Sequence, residues 1–327
     1  MTTAALTRPT LRPALRAVAI AGCLPYLALK IAWISGSHLG IPEHSVLLDH
    51  RAAMVAANGG TVLMDACVIV LALLLTRPWG LRVTAWLLVL PIWIATGLLA
   101  PIMAGYPLQL LVHMLGGTVR KPAGTGSAPF LDDWVFAVVY PGFIIQGLAL
   151  GTLFTLYARD RWGHLWRGRV GELPDAATGS APRTAAVAVA VLSLLPAAMH
   201  VLWSTGSAAG LSPSMAEGRT SDQYVVEAVF AAFALLNAAG VAMVAFGLGR
   251  SLTLRVPLAL AWLGSGATAC WGGWLWLSAL TVTDGTADGP TATMHLTYAV
   301  QMIAGILAAA LGARFFAGRS RRLGPTP

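Results

Sequence analysis

The chain has 327 residues, of which 57% are hydrophobic and only 10% charged, with a net charge of +8 at neutral pH. A soluble domain carries roughly a quarter charged residues, so a mean hydropathy of +0.72 makes the lipid bilayer the expected solvent. The basic residues lie in short groups between apolar blocks rather than on one soluble face, which excludes nucleic acid as a partner. Cys23, Cys67 and Cys270 sit in apolar stretches and form no CxxC, so neither redox chemistry nor zinc binding is expected of them.

In chain order, the N-terminus has a basic then apolar layout. The apolar run continues past Lys30 without a cleavage site and reads as a first retained span. Spans are predicted over 15–37, 56–76, 82–104, 132–158, 184–206, 224–249, 256–281 and 292–316, each about the 20 residues a helix needs to cross hydrocarbon. The expected fold is an all-α polytopic membrane protein, with eight transmembrane helices arranged as two parallel four-helix repeats. Residues 1–158 form the first repeat, 159–183 a polar linker and 184–327 the second. With eight spans, sixteen basic residues fall on one side and four (Arg51, Arg120, Lys121 and Arg219) on the other. The positive-inside rule then places both termini in the cytoplasm, at a bacterial-type plasma membrane. PLQLLVHMLGG (107–117) is long enough for a separate short helix at the outer interface, whereas TRPWGLR and GRSLTLR read as tight cytoplasmic turns.

The repeat is carried by LKIAWISGSHLG and MHVLWSTGSAAG, which align at a spacing of 170, and by RPWGLRV and RSLTLRV, at a spacing of 173. Lys30, Trp33 and Ser37, like His200, Trp203 and Ser207, follow an i, i+3, i+7 spacing that shares one helical face. Gly36 and Gly40, and Gly206 and Gly210, read as GxxxG steps for close helix approach. Each copy is thus expected to turn a base and an indole inward.

A charge in hydrocarbon needs a partner or a wet cavity, and depth names the candidates. Lys30 is 14 residues from Arg16 and Asp65 is 12 from Arg77, or about 21 Å and about 18 Å of helical rise, so these two are expected to pair. In the second half Asn237 stands nearest the register of Asp65. The acid there, Glu227, lies 23 residues from Arg250, about 16 Å nearer the outer surface. His200 is expected to face Asn237 or Glu227. Such groups can equally serve as structural pairs that fix helix register.

Six of the seven histidines (His38, His44, His50, His113, His200 and His295) fall in or near the outer half, and SHLGIPEHSVLLDH groups two of them with acids. Their spacing fits no zinc pattern, and neither a metal nor a cofactor is expected. Asp132 and Asp133 open span four, where they suit the helix dipole. There is no DDxxD, DxDD, Walker loop or GxSxG, which removes support for phosphate-driven transport and serine hydrolysis. Of twelve tryptophans, Trp271 and Trp274 belong to the unusual run WGGWLW. With Trp33 and Trp203 they offer aromatic faces that attract cations, although aromatic belts account equally for some of these rings.

The K/H-x-x-W-x-x-G-S motif, four spans per unit and an Ala/Arg-rich composition resemble actinobacterial membrane proteins of four or eight helices. Similar eight-helix proteins of this length include integral-membrane terpene cyclases of indole-sesquiterpenoid (drimentine-type) pathways. The likeness covers the whole chain in length and character and transfers no individual residue. It implies proton-initiated cyclisation of a prenyl chain on a lipophilic, indole-type substrate, without metal or diphosphate loss. The residues permit that chemistry independently: Asp65 as the acid, Glu227 or His200 as the terminating base, and tryptophan faces to stabilise a carbocation. A Lys30–Asp65 ion pair would make Asp65 a poor acid, leaving Glu227 or Asp132 as the better donor. The competing readings are a proton-coupled transporter or exporter and a non-catalytic sensor or membrane partner. The sequence does not indicate an oligomeric state.

Overall fold

The structure, a computed structural model, describes residues 11–43, 45, 48, 51–117, 131–174, 179–281 and 289–323. Long apolar runs with no water to satisfy the backbone leave the helix as the stable local solution. Eight helices of 24 to 32 residues occur among the described residues: α1 Leu11–Ile34, α2 Arg51–Leu74, α3 Ala85–Met114, α4 Asp133–Trp162, α5 Ser180–Ser204, α6 Ser221–Phe246, α7 Arg255–Thr281 and α8 Ala292–Leu323. No strand accompanies them among the described residues, only an isolated bridge between Arg169 and Thr253.

Seven of these helices, all but α7, are long and apolar enough to cross a membrane. Eight such spans were expected. The shortfall at α7 has a compositional cause, because its sequence contains four Trp, four Gly, two Ser and two Thr. The distribution of side chains supports a bilayer as solvent: Leu63, Trp86, Leu148 and Val191 are well exposed, while Lys30, His200 and Asn237 are almost fully buried. Water would favour the reverse. This is an all-α protein of the multi-pass membrane type.

The chain divides into two compact units, residues 1–95 with 121–161, and residues 96–120 with 162–327. In the first, α1 meets α4 where Gly22 faces Gly142. A methyl on Gly22 would lie 3.0 Å from the Gly142 carbonyl oxygen, so only glycine allows the backbones so close. The TRPWGLR turn is a 3-10 turn over Pro78–Arg82. It is pinned by Tyr157, whose hydroxyl donates to the Gly80 carbonyl at 2.9 Å, and by Arg161, which donates to the Val83 carbonyl at 2.9 Å.

The second unit packs α5, α6, α7 and α8 with the C-terminal part of α3, from Thr96 onward. Residues 264–269 of α7 are buried all round. Glycines make this possible: a methyl on Gly264 would run into the Asn237 and Leu236 backbone of α6, and one on Gly272 or Gly305 would do the same at the α7–α8 contact. A helix enclosed in this way need not be apolar on every face, which accounts for its composition.

The separate interfacial helix expected over 107–117 does not form. Those residues continue α3 to Met114. Tertiary packing overrides the local Gly-Tyr-Pro signal. Gly97 lies against Gly266, Ala100 and Ala104 pack with Val229 and Phe233, and the Gln109 side chain donates to the Asp222 carbonyl at 3.3 Å. The polar stretch after α4 forms short 3-10 turns at Gly163–Trp166 and Val170–Glu172. The Val170 and Gly171 amides donate to the Leu252 and Arg250 carbonyls, docking 3-10 turns onto the loop between α6 and α7.

If glycine is needed for contact rather than flexibility, Gly264→Ala should cost about 1–3 kcal/mol by overpacking. Gly59→Ala, with nothing within 4 Å, should be neutral or stabilising by up to about 1 kcal/mol. Thermal unfolding of the two purified variants checks this contrast.

Candidate functional site

The K/H-x-x-W-x-x-G-S motifs end their helices in matching ways. After Ile34, Gly36 and Gly40 adopt φ of 98° and 74°, and after Ser204, Gly206 and Gly210 adopt 100° and 74°. The Ser37 amide donates to the Ala32 carbonyl and the Gly36 amide to Trp33, while Ser207 and Gly206 do the same to Leu202 and Trp203. This is the glycine-terminated Schellman pattern. The GxxxG reading is therefore corrected for Gly36 and Gly206, which terminate their helices, because the left-handed region is costly for any residue with a Cβ. Gly40 and Gly210 lie in the turn beyond and do admit close approach, since a methyl there would run into Val135 and Thr293. Ser37 and Ser207 likewise lie beyond the helices and accept the Leu39 and Ala209 amides at 3.2 Å, rather than extending the Lys30 and His200 faces.

Each tryptophan fastens the turn that follows it. Trp33 Nε1 donates to the Leu39 carbonyl at 2.7 Å and Trp203 Nε1 to the Ala209 carbonyl at 2.9 Å. The Gly40 carbonyl then accepts the Asp132 amide at the start of α4, and the Gly210 carbonyl accepts the Thr291 hydroxyl just before α8. The indoles are buried in apolar clusters, Trp33 with Val135 and Val139, Trp203 with Met294 and Tyr298. Their N–H groups are used by the backbone, and their rings fix where the base one turn earlier must point.

In the first unit, Lys30 is 1% and Asp65 5% exposed, and Lys30 Nζ donates to Asp65 Oδ2 at 2.8 Å. The pairing expected from matched depth is present. Tyr26, one turn before Lys30, places its ring centroid 3.5 Å from Nζ and is held edge-on by Phe143 at 5.0 Å. Gln146 of α4 is also buried, and its Oε1 has no hydrogen-bond partner among the described residues.

In the second unit, His200 is fully buried and is gripped from both ring nitrogens. Nδ1 lies 2.5 Å from Glu227 Oε2 and Nε2 lies 2.8 Å from Gln301 Oε1. Of the two partners considered for His200, the structure selects Glu227. Three aromatic rings surround the imidazole: Trp203 edge-on at 5.2 Å, Phe230 tilted at 5.3 Å and Tyr298 stacked at 6.5 Å. Glu227 keeps 14% of its side chain exposed, so it is the least enclosed member of the group. Asn237 donates instead to Ser193 Oγ at 3.1 Å, and its own Oδ1 has no hydrogen-bond partner among the described residues.

The structure brings together His200, Glu227 and Trp203, and separately Lys30 and Asp65, while Trp33, one turn beyond Lys30, packs in its own apolar cluster. Trp271 packs on Phe230 at 5.4 Å and donates to the Leu98 carbonyl at 3.1 Å, which puts it one ring behind the imidazole. Trp274 is half-exposed, and no described contact joins it to that group. Asp132 is partly exposed at the start of α4 and is tied to the Gly40 carbonyl through its backbone. Among the other histidines, His38 is exposed and His113 lies 2.6 Å from Asp222, while His44, Asp49 and His50 fall outside the described residues. Sequence reasoning missed Gln301, Gln146, Ser193, Phe230 and Tyr298. The signal for the two glutamines was available, since each is a lone amide in an apolar run.

No protein-family model matches the chain, and neither curated proteins nor solved structures give a match.

Removing Lys30 alone strands a buried carboxyl group, a change that costs about 3–5 kcal/mol where a buried pair is broken. Lys30→Met is therefore expected to lower stability and membrane yield more than Lys30→Met combined with Asp65→Asn. Equal losses in thermal melts of the single and double variants would contradict a direct pairing.

Proposed function

We propose that the protein is an integral-membrane cyclase that protonates an alkene or epoxide of a prenylated, indole-type lipophilic substrate and closes it into rings. The observation that carries this reading is an imidazole–carboxylate pair set within aromatic rings. With Asp65 engaged by Lys30, the acid role passes from Asp65 to Glu227, supported by His200. Gln301 Oε1 can only accept, which turns Nε2 toward it and leaves Nδ1 for the Glu227 carboxyl group. Glu227 would deliver a proton: a C–H bond forms as the alkene π bond breaks, or, if an epoxide is the trigger, an O–H bond forms on its oxygen as a C–O bond opens. The resulting cation is attacked by the next π bond, and the aromatic faces stabilise it in transit. Loss of a proton from a neighbouring carbon back to the Glu227–His200 pair ends the sequence. Substrate and product then have the same mass, and neither metal nor diphosphate departure is required.

The same reading takes all eight long helices as spans, with both termini cytoplasmic in a bacterial-type plasma membrane. The sixteen-to-four division of basic residues supports this orientation. Matching helix-terminating turns after Ile34 and Ser204 support descent of the two halves from one four-helix unit.

A second reading, proton-coupled transport, draws on the first unit. An intramembrane Lys30–Asp65 pair, in a unit that also buries an amide with an unpartnered oxygen at Gln146, is the kind of group that marks ion pathways.

Cells expressing the protein and supplied with a farnesylated indole diketopiperazine should yield an isomer of unchanged mass and shifted retention. Glu227→Gln is expected to reduce it by about 100-fold or more at equal membrane abundance, and Trp274→Phe to leave it largely intact. Absence of the isomer, given folded protein and confirmed uptake, would reject this substrate class. Proton flux in proteoliposomes that disappears in Asp65→Asn would favour transport instead.

A further inference from the structure

A cavity of about 320 Å³ opens in the second unit, at the end where α5 and α7 begin and α6 and α8 finish. It is separate from the His200 group, and that volume falls within the range of about 300–1,000 Å³ of small-molecule sites. Ala185, Val241, Leu258 and Leu311 represent its walls, one from each helix. The charged members of its wall among the described residues are Arg314, Arg319 and Arg322, with no carboxylate.

The polarity is graded along one helix. Ala308, Leu311 and Phe315 of α8 line the cavity at helical spacing, and Arg319 and Arg322 continue the same face. Arg319 is only partly satisfied: one terminal nitrogen donates to the Arg167 carbonyl at 3.2 Å, while Nε is buried without a hydrogen-bond partner. Gly312 also lines the space, and a methyl built on it would meet nothing within 4 Å. The cavity therefore owes part of its volume to a residue whose replacement would not disturb a neighbour.

We infer that this cavity binds an anionic phospholipid, with an acyl chain against the apolar walls and the headgroup phosphate at Arg314, Arg319 and Arg322. Free phosphate would satisfy the arginines but has no use for the apolar walls. A zwitterionic lipid would satisfy the walls but gain less from three cations with no acid among them. Only an anion carrying a hydrocarbon chain uses both ends, and anionic lipids are what attract basic protein segments to the cytoplasmic leaflet. The inference rests on the membrane placement of the chain and not on its chemistry at His200.

The full chain, purified in mild detergent and exchanged into mixtures of phosphatidylglycerol and phosphatidylcholine with the same acyl chains, provides the test by native mass spectrometry. Wild type should retain phosphatidylglycerol about tenfold over phosphatidylcholine. Arg314→Gln with Arg322→Gln should abolish the preference, and Gly312→Leu should reduce retention of both lipids by filling the chain site. Melting temperature and helical circular dichroism verify that each variant is folded, and Gly312→Leu also replaces a poor helix former. Equal retention of the two lipids, or retention unchanged by both variants, would overturn the inference. Displacement of phosphatidylglycerol by millimolar inorganic phosphate would also overturn it, since the site would then be one for the anion alone.

Discussion

A polar side chain buried in these helices has no water to fall back on, and the rest of the structure follows from that constraint. Lys30 and His200 occupy the same place in their motifs and meet the constraint differently. Lysine is a point charge on a long stem, and it finds one carboxylate and one aromatic face. Histidine is short and has two nitrogens, so it needs a partner on each side and obtains Glu227 and Gln301. The tryptophan one turn later serves both by fastening the loop that follows, which sets the depth and direction of the base.

Much of this was legible because depth in a membrane can be counted. Helical rise from the basic termini placed Lys30 level with Asp65, and the structure joins them. It did not separate Asn237 from Glu227 as the partner of His200, because a count along one helix says nothing of how far a side chain reaches. Gly36 and Gly206 were misread for a related reason. GxxxG spacing describes packing only while the helix continues, and Gly36 and Gly206 are where the helices stop. The extent of α3 was hidden because the contacts that sustain it, at Gly266, Val229 and Asp222, come from residues more than 100 positions away. Gln301 and Gln146 differ: each stands out as a polar residue in an apolar run, but an uncharged amide does not demand a counter-charge, so the sequence does not name what it faces.

The composition of α7 illustrates how packing and hydropathy can diverge. A helix crowded by glycine contacts on several sides carries Ser265, Thr268 and Trp271 without exposing them fully, and Thr268 returns its hydroxyl to the Gly264 carbonyl at 2.8 Å. Hydropathy measures what a segment would do alone in lipid, whereas the helix here is solvated mainly by protein over its central turns. The glycines that bring it close also bring Trp271 behind Phe230, so the aromatic layer next to His200 depends on residues that have no side chains of their own.

The different reach of the two bases constrains how either motif can change. Asp65 lies 12 residues before Arg77, whereas Glu227 lies 23 before Arg250, so the two acids stand about three helical turns apart relative to these landmarks. Replacing Lys30 by histidine leaves an imidazole too short for Asp65, and replacing His200 by lysine removes both contacts made by the ring. Either exchange passes through a molecule with an orphaned acid in its core unless the acid is relocated first. The order of mutation is thus restricted, and each motif is locked into its own base by a partner far away in the sequence.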